Sequence, residues 1–155
     1  MADILASIEQ FGLVRALKTS FVAYPIVNAL HIVAVGALFT SVMLMDLRIV
    51  GVIRSVPGGP LIALLRRTAL VAFVGALITG SLLFSVRARD YATMPIFLIK
   101  MALVLVAGVN FITFLLVLRR QGDDVPIGTV TVVLAILSLV LWTCVLFAGR
   151  LIGFV

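Results

Sequence analysis

Reactive side chains are scarce in this chain of 155 residues, which contains one histidine, one cysteine and one tryptophan. With Cys144 as its sole cysteine, the chain can form neither an intrachain disulfide nor a cysteine-based metal cluster. The apolar segments contain no pair of carboxylates, and no nucleophile accompanies a second histidine. A glycine-rich phosphate loop is absent as well. We therefore do not expect a stand-alone hydrolase or transferase.

Charged residues are also few. They make up 12% of the sequence, and hydrophobic residues make up 64%, whereas an average soluble domain is about 25% charged. Four segments, residues 21–47, 68–86, 96–118 and 128–150, are apolar enough for lipid. As helices rising about 1.5 Å per residue, they approach the ~30 Å thickness of bilayer hydrocarbon. The sequence predicts an all-α polytopic membrane protein, a four-transmembrane antiparallel helix bundle in one membrane domain.

The N-terminal segment, residues 1–19, has a different pattern. Ile4, Ile8, Phe11 and Leu17 recur at helical spacing, and most of the charged residues lie elsewhere on the wheel. This pattern predicts an interfacial helix that lies on the membrane surface before the first span. The segment lacks a basic start and a continuous apolar run, so we do not expect a cleaved signal peptide.

The net charge of +6 comes from basic residues at the span ends and in the connections. Residues so placed anchor helices at lipid headgroups, whereas nucleic-acid binding needs a continuous basic face. We expect the lipid bilayer as a partner and no nucleic acid. Four spans put both termini on one side, named face A, opposite face B. Lysine and arginine mark the cytoplasmic side, but each face has six, so the orientation stays open. Face A has Arg15, Lys18, Arg87, Arg89, Lys100 and Arg150, and face B has Arg48, Arg54, Arg66, Arg67, Arg119 and Arg120.

Polar side chains within the spans are the candidates for a site, because they are costly in lipid and are expected to face the bundle interior. Tyr24, Asn28 and His31 share one helical face of the first span, on a stripe that runs toward Asp46. Counting residues from face A places Trp142 at nearly the height of His31, with cations closer to the water. The candidate cofactor-binding residues are His31, Asn28, Tyr24, Trp142, Lys100 and Arg150.

Three interpretations of His31 are open. It can ligate the iron of a haem b whose propionates meet the basic residues, which is the only case in which it is a metal ligand. It can instead hydrogen-bond a quinone head group. Finally, it can bond a facing serine, threonine or carbonyl and fix helix packing, with no ligand at all. Since the chain has one histidine, a bis-imidazole haem would need a second chain.

Small residues at four-residue spacing favour close helix approach. Three sets have this spacing: Gly36 with Thr40, Ala37 with Ser41, and Ala72 with Ala76 and Gly80. The leading functional hypothesis is a non-catalytic accessory or assembly subunit of a membrane complex, packed against copies of itself or against a partner membrane subunit. The alternative is a haem b or quinone-binding electron-transfer component that uses His31.

A third hypothesis is ion or solute transport, because Asp46, Asn110 and His31 are expected to line one interior.

Several short motifs resemble those of an uncharacterised family of four-helix bacterial inner-membrane proteins. They are Tyr24-Pro25, His31, Gly36, Asp46-Leu47-Arg48 with Gly51, and Trp142 with Ala148-Gly149-Arg150. The family is related in general style to the copper-resistance D-like membrane proteins. The resemblance implies a multi-pass protein of the bacterial inner membrane and no established activity. The family pattern often has a carboxylate where Asn28 stands and a histidine where Leu115 follows Phe114, which implies that this chain lacks a second ligand if those positions bind metal or haem.

Overall fold

The structure of the protein is a computed structural model that describes residues 2–55, 57–121 and 128–154, with the backbone alone for residues 2–4 and 119–121. Within these ranges the chain is helical and no strand occurs. The helices are α1 (Ala2–Gln10), α2 (Gly12–Thr19), α3 (Ala23–Val50), α4 (Gly58–Val86), α5 (Ala88–Thr93), α6 (Pro95–Gln121) and α7 (Thr129–Leu151), followed by a 3₁₀ turn at Ile152–Phe154. The prediction of an all-α protein is confirmed.

Four helices of the described ranges are long and apolar enough to cross a membrane. These spans are Ala23–Val50, Gly58–Val86, Pro95–Leu118 and Thr129–Phe154, so the chain is a multi-pass membrane protein. The span predicted over residues 68–86 lies inside a longer helix, which begins at Gly58. Apolarity marks only the part of a helix that lies in lipid, whereas its backbone hydrogen bonds continue through Arg66 and Arg67, which have good helix propensity.

The segment before the first span differs from the prediction of one helix over residues 1–19. It forms two short helices, α1 and α2, separated at Phe11, whose ψ of 135° is not helical. The break lets α2 bury Val14 and Leu17 beside Val86 of α4, while α1 contacts α5.

Local chemistry accounts for the two ends of α3. Pro25 lies in the first turn, where its missing N–H is not needed by the helix. Gly51 ends the helix with a φ of 90°, and its N–H bonds the carbonyls of Leu47 and Arg48. A residue with a side chain would be strained in this left-handed conformation.

The spans alternate in direction. α3 packs most extensively on α4, α6 packs on α7, and a contact between α3 and α7 joins the two pairs. The ring of Phe84 stacks on Phe97 at 5.4 Å, and Lys100 lies against Gly149. These contacts bring the start of α6 together with the ends of α4 and α7, at the end of the bundle that corresponds to face A.

The core is narrow for a bundle of this length. The central cluster consists of Leu38, Val42, Ala69, Ala72, Ala107, Leu141, Trp142 and Val145. In the most apolar part of each span, only 17–33% of the residues are buried inside the chain. The remaining side chains are mainly large and apolar and face outward. Such a surface is stable in hydrocarbon and not in water, so lipid is the solvent of the four spans.

Candidate functional site

His31 joins the first two spans through a hydrogen bond. Its Nδ1 lies 2.9 Å from the Oγ1 of Thr79 on α4. The Thr79 hydroxyl donates its own proton to the carbonyl of Gly75 at 2.7 Å. A hydroxyl has only one proton to donate, so this arrangement fits the tautomer of His31 that carries its hydrogen on Nδ1. In that tautomer Nε2 has a lone pair, which suits a metal ion or a hydrogen-bond donor.

A glycine makes room for the imidazole. A Cβ built on Gly80 would lie 3.1 Å from Cε1 of His31, closer than ordinary carbon contacts. The ring of His31 thus packs against the backbone of α4, next to the hydroxyl that it bonds. This is the contact that the helix-packing interpretation of His31 predicts, and it uses one of the small-residue positions of α4.

Lys100 approaches the same region from α6. Its side chain is half-buried, and its Cε and Nζ lie 3.4 and 3.5 Å from the position of a Cβ on Gly149 of α7. The ammonium group is near enough to His31 to interact with it electrostatically. The structure therefore brings together two of the predicted site residues, His31 and Lys100, between α3, α4, α6 and α7. We name His31, Thr79, Gly80, Lys100 and Gly149 the face A site.

The other predicted residues lie elsewhere. Asn28 is exposed on the outer surface of α3, because three residues turn a helix by about 300° and leave it about 60° from His31. Trp142 is buried in the central cluster, where its ring meets the edge of Phe73 at 6.3 Å. Phe73 is six residues from Thr79, or about 9 Å along α4, so Trp142 lies deeper than the predicted height.

The last two candidate residues, Tyr24 and Arg150, also have separate surroundings, as does Ser81 of α4. Tyr24 is half-buried against the cluster of Val14, Leu17 and Val86. Arg150 is exposed, with its guanidinium 4.5 Å from the ring centroid of Phe154. Ser81 is exposed as well and lines a groove between α2 and α4.

Three aromatic rings cover the loop side of the face A site. Phe84, Tyr91 and Phe97 come from α4, α5 and α6, and Phe97 has both other rings within 5.4 Å. Burial, and next the nearby Tyr24, raise the pKa of Tyr91, while Arg87 opposes this shift and Asp90 adds to it. The phenol is thus kept neutral beside the apolar rings. The sequence pattern alone gives no sign of this stacking.

A second polar group lies deeper, toward face B, and we name Asp46, Asn110 and Ser138 the buried polar centre. Asp46 is 1% exposed and forms a side-chain hydrogen bond with Ser138 of α7, but its Oδ2 has no partner. Asn110 of α6 is 6% exposed and donates from Nδ2 to the carbonyl of Leu134 at 3.1 Å, and its Oδ1 has no partner. Leu134 and Ser138 are one turn apart, so both side chains approach the same turn of α7.

Metal-ligating side chains are sparse around both sites. In the described ranges, no three histidine, cysteine, aspartate or glutamate side chains come close enough to hold a metal ion. His31 offers one nitrogen, and the buried polar centre offers oxygen atoms.

The transport hypothesis predicts that Asp46 and Asn110 line one interior together with His31. In the structure they lie nearer face B, apart from His31. A sequence feature that indicates the burial of Asp46 is its helical spacing from Leu38 and Val42, because these two residues lie on the core-facing side of α3.

The small-residue sets divide into inward and outward ones. Ser41 and Ala72 are buried, and Gly80 contacts His31, so these positions serve packing within the chain. Gly36 and Thr40 are exposed, and a Cβ on Gly36 would meet nothing within 4 Å. We name Gly36 and Thr40 the outward pair.

Comparison with protein families matches residues 12–155 to a family described as a family of unknown function, DUF6644. Comparisons with curated proteins and with solved structures gave no match. The matched range starts at α2 and contains all four spans, the face A site and the buried polar centre. It agrees with the resemblance to an uncharacterised family. The chain belongs to the family of unknown function DUF6644.

Proposed function

We propose that this protein is a non-catalytic subunit of the bacterial inner membrane that acts by assembling in the plane of the bilayer. Its first partner is a second copy of the chain, which packs on the outer face of α3. The observation that carries this proposal is the outward pair. Gly36 and Thr40 are exposed and open, whereas the other small-residue sets contribute to packing inside the chain.

Glycine and threonine four residues apart let two helix backbones approach closely in lipid. No hydrophobic effect drives such association, so the gain comes from van der Waals contact and from polar contacts across the helices. A two-fold axis would bring the same patch from each copy together, which the symmetry of most homo-oligomers favours. Asn28, exposed on the same helix, adds an amide that can both donate and accept.

The test measures energy transfer between copies in liposomes. Cys144 faces lipid within α7, so it is replaced by alanine in the labelled protein. Ser55→Cys, at an exposed position in the connection between α3 and α4, then gives one known site for donor and acceptor dyes. We expect transfer above the level of random encounters at low protein-to-lipid ratios. Gly36→Leu should abolish the excess, because a bulky side chain on the outward pair holds the backbones apart. Gly108→Leu is the matched control, since a Cβ on Gly108 of α6 also meets nothing within 4 Å.

Two outcomes would refute self-association through α3. One is energy transfer in the unmodified chain that never exceeds random encounters. The other is an equal loss for Gly36→Leu and Gly108→Leu, which would indicate a general effect of bulk. Trp142 fluorescence, measured on each variant, verifies that the bundle itself is folded.

The second candidate function is a haem b or quinone-binding electron-transfer component, and the tautomer of His31 favours it. Residues that ligate metals through one imidazole nitrogen are commonly fixed by a hydrogen bond at the other. Thr79 has that place in this chain, and Lys100 supplies a cation for an anionic group. Haem would take its iron ligand from Nε2 of His31, and a quinone would need only a hydrogen bond. The resemblance in general style to copper-resistance D-like membrane proteins is part of this proposal.

An absorption spectrum of protein purified from cells that make haem separates the two ligands. A Soret band that His31→Ala removes would support haem. Its absence, together with no quinone extracted from the purified protein, would exclude both forms of the second candidate. Thr79→Val tests the tautomer argument, because it should weaken a ligand held by Nε2 without removing the imidazole.

A further inference from the structure

We propose that the buried polar centre is a proton-binding site, in which the carboxylate of Asp46 takes up one proton from water and later returns it. This inference is independent of assembly through α3. Uptake forms an O–H bond at Oδ2 of Asp46 and removes the negative charge, and release reverses both changes. The centre thereby gives the protein a chemical function that needs no second copy of the chain.

The first observation is an unpartnered oxygen in a closed place. Asp46 is 1% exposed, it lies in a membrane-spanning helix, and its Oδ2 contacts no hydrogen-bond donor. Ser138 bonds the side chain from α7, and this fixes its direction. Carboxylates in lipid normally pair with a cation or a set of donors. A proton is the smallest ligand that removes the charge without changing the packing.

The second observation is a matching acceptor. Oδ1 of Asn110 is also buried without a partner, while its amide nitrogen is held by the carbonyl of Leu134. This bond makes the amide oxygen face away from Leu134. A protonated Asp46 has a hydrogen-bond donor, and Asn110 has an acceptor that lacks a donor. Both side chains bond to the same turn of α7. The O–H of a protonated Asp46 and the free amide oxygen of Asn110 are therefore complementary, and one water between them would satisfy both groups at once.

Among the side chains that the structure describes, no lysine or arginine donates a hydrogen bond to Oδ2 of Asp46. On α3 itself, the guanidinium of Arg48 packs beside Gly58, 3.1 Å from the position of its Cβ. On α4, Arg67 is exposed, and Arg66 is half-buried. On α6, the side chains of Arg119 and Arg120 fall outside the described part of the structure. The neutral Ser138 of α7 bonds Asp46, and the neutral Asn110 of α6 bonds the same turn of α7.

The test is labelling with a hydrophobic carbodiimide, which reacts with protonated carboxyl groups inside membranes. The full chain is reconstituted in liposomes, and the modified residue is located by mass spectrometry. We expect modification at Asp46, declining as the pH is raised, and its loss in Asp46→Asn. Asp90 is the internal control, because it is exposed and paired with Arg87, and it should react with a water-soluble carbodiimide instead.

Infrared spectroscopy gives a second readout that needs no reagent to enter the bundle. The wild-type chain should show a carboxylic acid C=O band that Asp46→Asn removes and Asn110→Leu shifts. Unlabelled Asp46 in folded wild-type protein at low pH would overturn the proposal, as would the absence of the band. Protection of Asp46 by Na⁺ at constant pH would also overturn it, because the centre would then be a metal-cation site.

Discussion

Replacing Gly80 by alanine tests whether His31 holds α3 to α4. The added Cβ would lie 3.1 Å from Cε1 of His31, whereas carbon atoms prefer about 3.5–4.0 Å. The ring must move by several tenths of an ångström, and this lengthens a hydrogen bond that is now 2.9 Å. Gly75→Ala is the matched control on the same helix, because its Cβ would meet Ala34 at an ordinary 3.6 Å.

The magnitude follows from comparing the two variants. Both gain the helix propensity of alanine over glycine, up to about 1 kcal/mol, and this term cancels in their difference. A hydrogen bond between membrane helices contributes about 0.6 kcal/mol on average and up to about 1.7 kcal/mol. We expect Gly80→Ala to be less stable than Gly75→Ala by this amount. In the His31→Ala background the clash disappears, so the two variants should agree within about 0.5 kcal/mol.

The assay is reversible unfolding in mixed micelles, followed by the fluorescence of Trp142. This residue is the sole tryptophan, and it is 8% exposed in the central cluster, so its emission reports on the packed bundle. Equal stabilities of Gly80→Ala and Gly75→Ala in the wild-type background would refute the packing role of His31. If the difference in stability between Gly80→Ala and Gly75→Ala persists in the His31→Ala background, its cause lies in α4 alone.

Other outcomes follow from the same contacts. Thr79→Val should lower the unfolding free energy by about 0.6–1.7 kcal/mol because His31 loses its acceptor, whereas Thr79→Ser should keep it; equal values for the two would contradict the donor assignment. With Tyr24→Phe, which leaves Tyr91 as the remaining tyrosine, ultraviolet titration should give a midpoint above the ordinary pKa of 10.0, mainly because of burial. Since the fold favours the neutral phenol of Tyr91, the free energy of unfolding should fall as the pH rises above 10.0. A titration midpoint at or below 10.0 would contradict the burial of Tyr91 beside the other rings.

The membrane-spanning architecture was predictable from the sequence, and the reason is the solvent. A bilayer requires about 20 consecutive apolar residues per helix, which makes each span visible without knowledge of its neighbours. Outside the hydrocarbon the chain has no such requirement, so helix ends and connections are harder to predict. The start of α4 at Gly58 and the break at Phe11 are set by caps, turns and packing, for which the local pattern is weaker.

Part of the face A site was predictable as well. Helical spacing predicted that the side chain of His31 faces the other helices. A threonine was one of the hydrogen-bond partners proposed for it, and Thr79 is the partner in the structure. The same spacing failed for Asn28, because a difference of about 60° decides between contact and exposure at the edge of a helix face. Trp142 was misplaced because counting residues from the span ends ignores how far each helix extends beyond the membrane. Relative heights depend on the contacts between helices, and those appear only in the structure.

Asp46 shows why a charged residue at the end of an apolar run is easily misjudged. The run Asp46-Leu47-Arg48 marks the end of the predicted first span, where a carboxylate can reach water. In the structure α3 continues to Val50 and buries Ile49, so Asp46 lies among packed helices. An ionised aspartate costs about 2.5–3.5 kcal/mol at the centre of a span and less toward its end, and one hydrogen bond from a serine returns about 0.6 kcal/mol. Protonation removes the cost that remains. Because Asp46 of α3 is bonded to Ser138 of α7, we expect its protonation to stabilise the contact between these two helices.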